Sequence, residues 1–420
     1  MNFSNIFLSV FVVGSILACF FTAVVETIQF FYRKKYGTKI PTNLAQTFTP
    51  EKMEKIAEYQ NDLYFVFLPQ HFTESLVSIL LLALGVYARF FYFLQNHIAN
   101  QYLLVIVFMF SQSLLITLID LPFNCYRNFV IEKKYGFSNM TVKLFIGDLL
   151  KLLIISFMFT SLLFSVGLLI VSLSSYWYII FPTVYLLFSF VINLLAPIII
   201  DPLFNKFTSL ADGEIKDVII TYLKKCGFSA NGIFVADASK RSAHSNAYFT
   251  GFGKSKRVVI YDTLLKQLTP QEMGGVIAHE LGHFKKHHIL KRFIVMGVLV
   301  YAVFIAAQLL IQNARLYAAF GFNEPVTNPA VMIFIGVFLL LQIISAFSPF
   351  FSLIGNFFSR RDEYAADAYA KKLCGTGADL SNSLIKLYDE NKSDILVAPI
   401  YSLANDSHPT LLERIKAVED

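Results

Sequence analysis

Seven apolar runs, each long enough to cross a lipid bilayer, constrain the fold of this chain more than any other feature. A transmembrane helix needs about 20 predominantly apolar residues. The sequence is 56% hydrophobic and only 15% charged, which favours a polytopic membrane protein over a soluble enzyme. We therefore predict a mainly α fold with seven transmembrane helices, at residues 6–28, 73–95, 102–122, 149–173, 177–200, 292–312 and 329–355.

The distribution of basic residues predicts the orientation of these spans. No Lys or Arg precedes the first run, and Arg33-Lys34-Lys35 follows it, which places the N-terminus outside. The outer connections that result, 96–101, 174–176 and 313–328, contain Arg315 as their one Lys or Arg. The remaining connections are expected on the cytoplasmic side, at residues 29–72, 123–148, 201–291 and 356–420.

The chain divides into four predicted parts: five spans with their loops in 1–200, a soluble metallopeptidase insertion in 201–291, two spans in 292–355, and a C-terminal helical segment in 356–420. The insertion is predicted to be a small α+β domain. An amphipathic helix is expected from Gly213 to Lys225, followed by strands at Ile233–Ala236 and Arg257–Tyr261. The sequence contains no CxxC pair and no nucleic-acid-binding motif, so we expect neither a thiolate metal site nor a nucleic-acid partner.

The insertion ends in a motif with a defined chemistry, His279-Glu280-Leu281-Gly282-His283. HExxH on a helix puts two imidazoles one turn apart on one face, close enough to share one Zn²⁺. The adjacent Glu280 could take a proton from a water on that ion. Upstream, Thr269-Pro270-Gln271-Glu272 has the pattern of a helix start, with an N-cap, a proline at N1 and a capping-box Glu.

A catalytic zinc also needs a third protein ligand. Glu363 and Asp367 are four residues apart and share a helix face, so Glu363 could ligate while Asp367 hydrogen-bonds a ligand His from outside. On spacing alone, a solvated charged face is an equally good interpretation. We predict that Arg414, in the final helix, lies beside Asp367 and, like it, supports the metal ligands without binding the metal. His287 and His288 are interpreted as a basic tail of the HExxH helix without a role in metal binding.

Two further segments could contact a substrate. Asn246-Ala247-Tyr248 has a strand-like pattern and could pair with an extended peptide, or it could belong to a plain structural hairpin. His408 lies in a loop before the final helix. It could have no task there, or it could reach the metal site and stabilise an oxyanion.

The chain resembles the type I CAAX prenyl proteases, which are integral-membrane zinc metallopeptidases. The resemblance is most specific in four segments: Arg241–Tyr248, His279–His283, Ser359–Asp367 and Ser407–Pro409. It implies one Zn²⁺ bound by His279, His283 and Glu363, with Glu280 as catalytic base. It also implies spans that enclose an aqueous chamber, Asn246 holding the substrate backbone, and His408 stabilising the tetrahedral intermediate. The implied partners are membrane lipid and a peptide or protein substrate with or without a C-terminal prenyl group.

Some features of the sequence leave the source and substrate open. The residues Ala243 and Thr250-Gly251-Phe252-Gly253 are similar to the bacterial branch of the family, and the C-terminus has no dilysine retrieval signal. The expected location is therefore a bacterial inner membrane or an endoplasmic reticulum membrane. A bacterium without prenylation would use such an enzyme for membrane-protein quality control. The non-enzyme alternative is a seven-helix membrane protein with structural zinc, although a structural site normally closes with four protein ligands.

Overall fold

The computed structural model describes residues 4–228, 232–250, 257–326 and 328–419. Its helices are α1 (Ile6–Tyr36), α2 (Pro50–Ala83), α3 (Val86–His97), α4 (Gln101–Lys134, with a π turn at Arg127–Ile131), α5 (Val142–Leu173), α6 (Trp177–Phe204, with a π turn at Ala196–Ile200), α7 (Glu214–Lys225), α8 (Asp262–Gln267), α9 (Pro270–Lys285), α10 (His288–Leu310), α11 (Ala314–Ala319), α12 (Pro329–Ser345), α13 (Ser348–Cys374), α14 (Ala378–Glu390), α15 (Pro399–Asn405) and α16 (Leu411–Glu419). Short 3₁₀ turns lie at Thr42–Leu44 and Ala238–Lys240.

Six helices within the described ranges are long and apolar enough to cross a membrane, namely α1, α2, α4, α5, α6 and α10. The pair α12 and α13 makes a seventh if it is one span, although the two helices are bent by 66° relative to each other. The predicted polytopic, mainly helical fold is therefore confirmed, with two differences in the spans. Both differences are breaks in helices that the sequence suggested were continuous.

The predicted span 73–95 is interrupted at Gly85, and the predicted span 329–355 bends after Ser345. Gly85 adopts φ 65°, and a side chain there would lie 3.3 Å from the backbone oxygen of Phe320. Only glycine takes up this conformation readily beside a close backbone. At the second break, Pro349 occupies the first turn of α13 and has no backbone N–H to continue the ladder of α12.

The spans are held together by a core of aromatic and aliphatic side chains. Phe11, Phe91, Phe108, Phe320 and Leu339 are all essentially inaccessible to solvent in this core. A cavity of about 700 Å³ lies between α4, α5, α6, α10 and α12. Most of its lining is apolar, and the polar side chains that reach it are Gln112, Ser113, Thr117, Tyr185 and Gln342.

The insertion at residues 201–291 contains a four-stranded sheet in the order β1-β2-β4-β3, with β1 (Phe207–Ser209), β2 (Ile233–Ala236), β3 (Ala247–Thr250) and β4 (Arg257–Tyr261). The strands β2 and β4 are parallel, whereas β1 and β3 pair antiparallel with their neighbours. The two predicted strands and the predicted helix, observed at Glu214–Lys225, are confirmed. Since β3 is last in the order, it forms one edge of the described sheet.

The HExxH helix α9 is packed on two sides. Its residues Met273, Ile277 and Leu281 are completely buried against α7 and the sheet. Its opposite side, at Ala278, joins a second cluster that contains side chains from the N-terminal connection and from the last helices: Leu44, Phe48, Met53, Ile56, Ala370, Leu380, Leu411 and Ile415. Residues from both ends of the chain therefore fix the position of α9.

Candidate active site

The start of α9 is defined by a complete capping box. The Thr269 backbone N–H donates to Glu272 Oε2 at 2.8 Å, and the Glu272 backbone N–H donates to Thr269 Oγ1 at 3.4 Å. This reciprocal pairing satisfies two backbone donors that a helix start leaves free. It confirms the predicted start of the helix and sets the rotation of the two histidines that follow.

Glycine at position 282 allows α13 to approach α9 closely. A methyl group on Gly282 would lie 2.9 Å from both the Cα and the backbone oxygen of Ala366, too close for van der Waals contact. Ala366 is itself completely buried. Because both residues are small, the two helices come close enough for a carboxylate on α13 to reach the histidines on α9.

His279, His283 and Glu363 meet at this contact, with their potential ligand atoms within 4.8 Å of one another. The Nε2 atoms of His279 and His283 are 3.1 Å apart. Glu363 Oε2 lies 3.3 Å from His279 Nε2, and Glu363 Oε1 lies 3.2 Å from His283 Nε2. Among the described residues, Glu363 Oε2 is buried and has no hydrogen-bond partner. A buried carboxylate with an unpaired oxygen, facing one imidazole nitrogen with each of its oxygens, fits a site for a metal cation.

The outer nitrogen of His279 is held by a carboxylate and an arginine. His279 Nδ1 is 2.7 Å from Asp367 Oδ1, and Arg414 binds both oxygens of Asp367 at 2.7 and 2.9 Å. Asp367 and Arg414 are both buried. A carboxylate behind a ligand histidine fixes its tautomer, leaving Nε2 free to donate its lone pair. The structure thus places both residues where the sequence analysis put them, although their roles remain predictions.

The outer nitrogen of His283 contacts a residue that the sequence analysis assigned wrongly. His288 is not on the HExxH helix, because α9 ends at Lys285 and α10 begins at His288. Its side chain is buried rather than part of a basic tail, and its Nδ1 lies 2.9 Å from His283 Nδ1. His287, by contrast, is exposed. No local sequence signal marks the helix break between Lys285 and His288 that causes this difference.

Glu280 faces a cavity of about 210 Å³ beside the three clustered side chains. Burial raises the pKa of the Glu280 carboxyl above its ordinary value, although the neighbouring His279 and His283 oppose the shift. The same cavity is lined by Asn246, Ala247 and a set of apolar side chains: Leu264, Val276, Leu380, Leu384 and Leu387. The Glu280 carboxyl group, the start of the edge strand and an apolar surface therefore line one cavity.

The segment Asn246-Ala247-Tyr248 leads into the edge strand β3. The Asn246 side chain is exposed, while its backbone oxygen accepts a hydrogen bond from the Tyr261 backbone N–H at 2.9 Å. The Tyr248 hydroxyl donates to Asp201 at 3.2 Å, so its side chain is held away from Glu280. The hydrogen bond between Asn246 and Tyr261 fixes the alternation of the β3–β4 ladder, so the backbone groups of Tyr248 point towards β4 and those of Ala247 point to the free edge. Gly251, Phe252 and Gly253, which follow, lie outside the described residues.

His244 anchors this segment to distant parts of the chain, which the sequence analysis missed. Its Nε2 is 3.2 Å from Glu132 Oε2, and its Nδ1 is 3.0 Å from Asn391 Oδ1. The imidazole also stacks on Phe137, with ring centroids 4.2 Å apart. These partners come from the end of α4 and from the C-terminal part, so sequence spacing gave no indication of them.

His408 approaches the cluster from the loop before α16. Its Nε2 lies 3.5 Å from Glu363 Oε1, and its Nδ1 lies 3.0 Å from Ser407 Oγ. The side chain is 58% exposed, in contrast to the buried His279. The structure thus brings His408 to the site, and its position at the solvent side leaves it free to contact a bound molecule.

Comparison with known proteins identifies the family of the chain. Residues 209–420 match Peptidase family M48, and residues 29–206 match the CAAX prenyl protease N-terminal family, described as five membrane helices. CAAX prenyl protease 1 of Saccharomyces cerevisiae is 38% identical over 77% of this chain and 74% of its own length. The human CAAX prenyl protease 1 homolog is 31% identical over 92% of this chain and 90% of its own length.

A solved structure agrees over nearly the whole chain. The crystal structure of S. mikatae Ste24p matches with a TM-score of 0.90 and 32% identity, and the match covers 99% of both chains. These three relatives are eukaryotic, whereas the residues Ala243 and Thr250-Gly251-Phe252-Gly253 resemble those of the bacterial branch. The family assignment excludes the seven-helix protein with structural zinc, because family M48 is a family of peptidases. This chain therefore belongs to the CAAX prenyl proteases of peptidase family M48 and is a multi-pass membrane metalloprotease.

Proposed function

We propose that this chain is a zinc endopeptidase that removes the residues following a prenylated cysteine at the C-terminus of its substrates. The observation that carries the proposal is the convergence of His279, His283 and Glu363 beside a cavity that His279 and Glu280 line. The names of the relatives, CAAX prenyl protease 1, support the choice of substrate class.

The donor set favours zinc among the metals. Two imidazole nitrogens and one carboxylate form a common ligand set of catalytic zinc, which keeps a further position open for water or substrate. When bound, the Zn²⁺ lowers the pKa of a coordinated water and polarises the carbonyl of the scissile bond. Within the described residues three ligands converge rather than the four of a structural site, which supports a catalytic rather than a structural role.

Glu280 is the proton carrier in the proposed mechanism. Its carboxylate accepts the proton of the attacking water and passes it to the nitrogen of the leaving amine. A carboxylate beside the attacking water is suited to this transfer, because it can both accept and release a proton. Glu280 lines the cavity next to His279 but is not among the converging ligand atoms, so its carboxylate would be close to a water in the site without holding the metal.

His408 is the proposed donor to the substrate carbonyl oxygen. If Ser407 donates its hydroxyl proton to Nδ1, the imidazole of His408 carries its own proton on Nε2, the atom that faces the cluster. This Nε2–H can donate to the carbonyl oxygen as negative charge develops there. Such a preoriented donor stabilises the transition state more than the ground state.

The edge strand β3 is the proposed holder of the substrate backbone. An extended peptide can add to a free sheet edge through main-chain hydrogen bonds, and here it would run antiparallel to β3. Asn246 and Ala247 line the cavity that contains Glu280. A peptide paired with this edge would therefore pass the proton carrier with its backbone in a fixed register.

The test compares two synthetic peptides that differ only in farnesylation of a cysteine four residues from the C-terminus. The purified chain in detergent should release the last three residues of the farnesylated peptide. A chelator should abolish release, added Zn²⁺ should restore it, and the Glu280→Gln variant should show none. Equal cleavage of the unfarnesylated peptide would refute prenyl recognition and favour the quality-control alternative. No cleavage of either peptide would refute the proposed activity.

A further inference from the structure

The helix break at His287 puts His288 in a position that a continuous helix would not allow. His287 adopts φ 56°, one of two non-glycine residues with positive φ within the described part of the chain. If the helix continued without interruption, His288, five positions after His283, would be rotated from it by roughly 140° around the helix axis. The break instead turns the His288 side chain back towards His283. An unfavourable backbone conformation at a non-glycine residue often marks a functional constraint.

The contacts of His288 are consistent with one placement of protons. A metal held by Nε2 of His283 leaves a proton on its Nδ1, which then donates to the facing Nδ1 of His288 at 2.9 Å. This acceptor nitrogen carries no proton, so the proton of His288 is on Nε2. His288 Nε2 in turn faces Asp362 Oδ1 at 3.4 Å. Both contacts, from His283 to His288 and from His288 to Asp362, then pair one donor with one acceptor.

Asp362 is itself fixed by its neighbours. Its other oxygen lies 3.4 Å from Arg292 Nε, and the same arginine donates to Ser359 Oγ at 3.2 Å. Arg292 belongs to α10, the helix that His288 begins. Asp362 directly precedes Glu363 on α13. Neighbouring residues of this helix therefore contact His283, through Glu363, and His288, through Asp362.

We infer that His288, supported by Asp362, is a positioning residue that fixes the tautomer and ring orientation of His283 for metal binding. It is the counterpart of Asp367 behind His279, with a neutral imidazole placed between the ligand and the carboxylate. The inference rests on the proposed metal site. Outer partners of metal ligands typically change metal affinity about 10- to 100-fold when they are removed.

The test measures the affinity for Zn²⁺ by competition with a chromophoric chelator, on the full chain in detergent. His288→Leu replaces the imidazole by an apolar side chain of similar size and so removes the acceptor, and we expect about 10- to 100-fold weaker binding. His288→Asn places an oxygen where Nδ1 was, and it should bind within a few-fold of the unaltered chain. Asp362→Asn should also weaken Zn²⁺ binding, but less than His288→Leu does. His287→Asn, at the exposed neighbour, tolerates positive φ and should leave the affinity unchanged.

Unaltered affinity in His288→Leu would overturn the inference, as would equal losses in His288→Leu and His288→Asn, since packing alone would then explain them. If His288→Leu does not fold, the Zn²⁺ affinity of Asp362→Asn is the test instead. An unaltered affinity in Asp362→Asn would then overturn the inference. An unaltered chain that holds no stoichiometric Zn²⁺ would refute the metal site itself and this role with it. In Co²⁺-loaded protein, the visible d–d spectrum should shift in His288→Leu and not in His287→Asn, which tests ligand geometry without measuring activity.

Discussion

Arg33 and Asp394 form a buried ion pair that joins the first helix to the C-terminal part of the chain. Arg33 Nη2 lies 2.7 Å from Asp394 Oδ2, and the two side chains are only 5% and 13% exposed. Gln29 donates to the same carboxylate at 2.8 Å and accepts from the Ala398 backbone N–H at 2.8 Å. The first helix therefore holds the segment of the chain that precedes the loop of His408.

Replacing Asp394 by Ala should therefore destabilise the protein strongly. Removing one partner of a buried ion pair leaves the other charge uncompensated, which typically costs about 3–5 kcal/mol. Thermal unfolding in detergent measures the effect as a lower Tm. The matched control is Asp212→Ala, whose ion pair with Lys216 is on the surface, with Asp212 96% exposed, and which should leave Tm unchanged. Equal Tm values for Asp394→Ala and the unaltered chain would contradict the assignment.

Glu280→Gln should keep the metal and lose peptidase activity. The amide has nearly the same shape as the carboxylate but cannot accept the proton of the attacking water. Loss of a catalytic base typically lowers the rate about 10²- to 10⁴-fold. Metal analysis and peptide turnover on the same purified sample make the test. Near-normal turnover with metal bound would show that another group is the base.

Glu363→Ala should lose the metal, whereas Asp367→Ala should weaken its binding without abolishing it. The reason is that Glu363 faces the Nε2 atoms of both histidines, while Asp367 contacts only the outer nitrogen of His279. Removal of an outer partner costs about 10- to 100-fold in metal affinity. Metal content after dialysis distinguishes the two variants. Stoichiometric metal in Glu363→Ala would mean that a different residue completes the site.

Periodicity and local signals predicted the parts of the fold that depend on neighbouring residues. The capping box at Thr269 predicted the start of α9, and the apolar runs predicted the spans, because both signals are local. The bend at Gly85 could not be predicted in the same way, since it depends on the backbone at Phe320, more than 200 residues later. Leu44 and Phe48, in the predicted connection 29–72, pack in one cluster with Leu411, a contact that no local signal predicts.

The candidate site shows the same division. The HExxH spacing predicted the neighbouring histidines directly, and the four-residue spacing of Glu363 and Asp367 predicted their shared face. The role of His288 was missed because the positive φ at His287 occurs at a non-glycine residue, which sequence patterns do not reveal. His244 was missed because its partners, Glu132 and Asn391, are far from it in sequence. Only tertiary contacts could show either.

The soluble insertion and the C-terminal part should lie on the cytoplasmic side, opposite the N-terminus. The near-absence of Lys and Arg from the predicted outer connections is the reason. Single cysteines at Ser4, Lys240 and Glu390, all exposed, can report this in a chain whose four native cysteines are replaced. A membrane-impermeant thiol reagent on sealed vesicles should label the last two from one side and Ser4→Cys from the other. Labelling of positions 240 and 390 from opposite sides would refute the arrangement of spans between them.

His408→Ala and Asn246→Ala should separate transition-state stabilisation from substrate binding. His408 reaches the site from the solvent side with its Nε2 3.5 Å from Glu363, so its loss removes one donor to the substrate oxygen but no predicted ligand. Losing such a donor lowers kcat about 10²- to 10³-fold. We therefore expect a low kcat, an unchanged KM and full metal content in His408→Ala. Asn246→Ala removes the side chain that we propose holds the substrate backbone, so its KM should rise as its kcat falls. Loss of metal in His408→Ala would show that the imidazole holds the ion or supports Glu363, which would contradict its role as a donor.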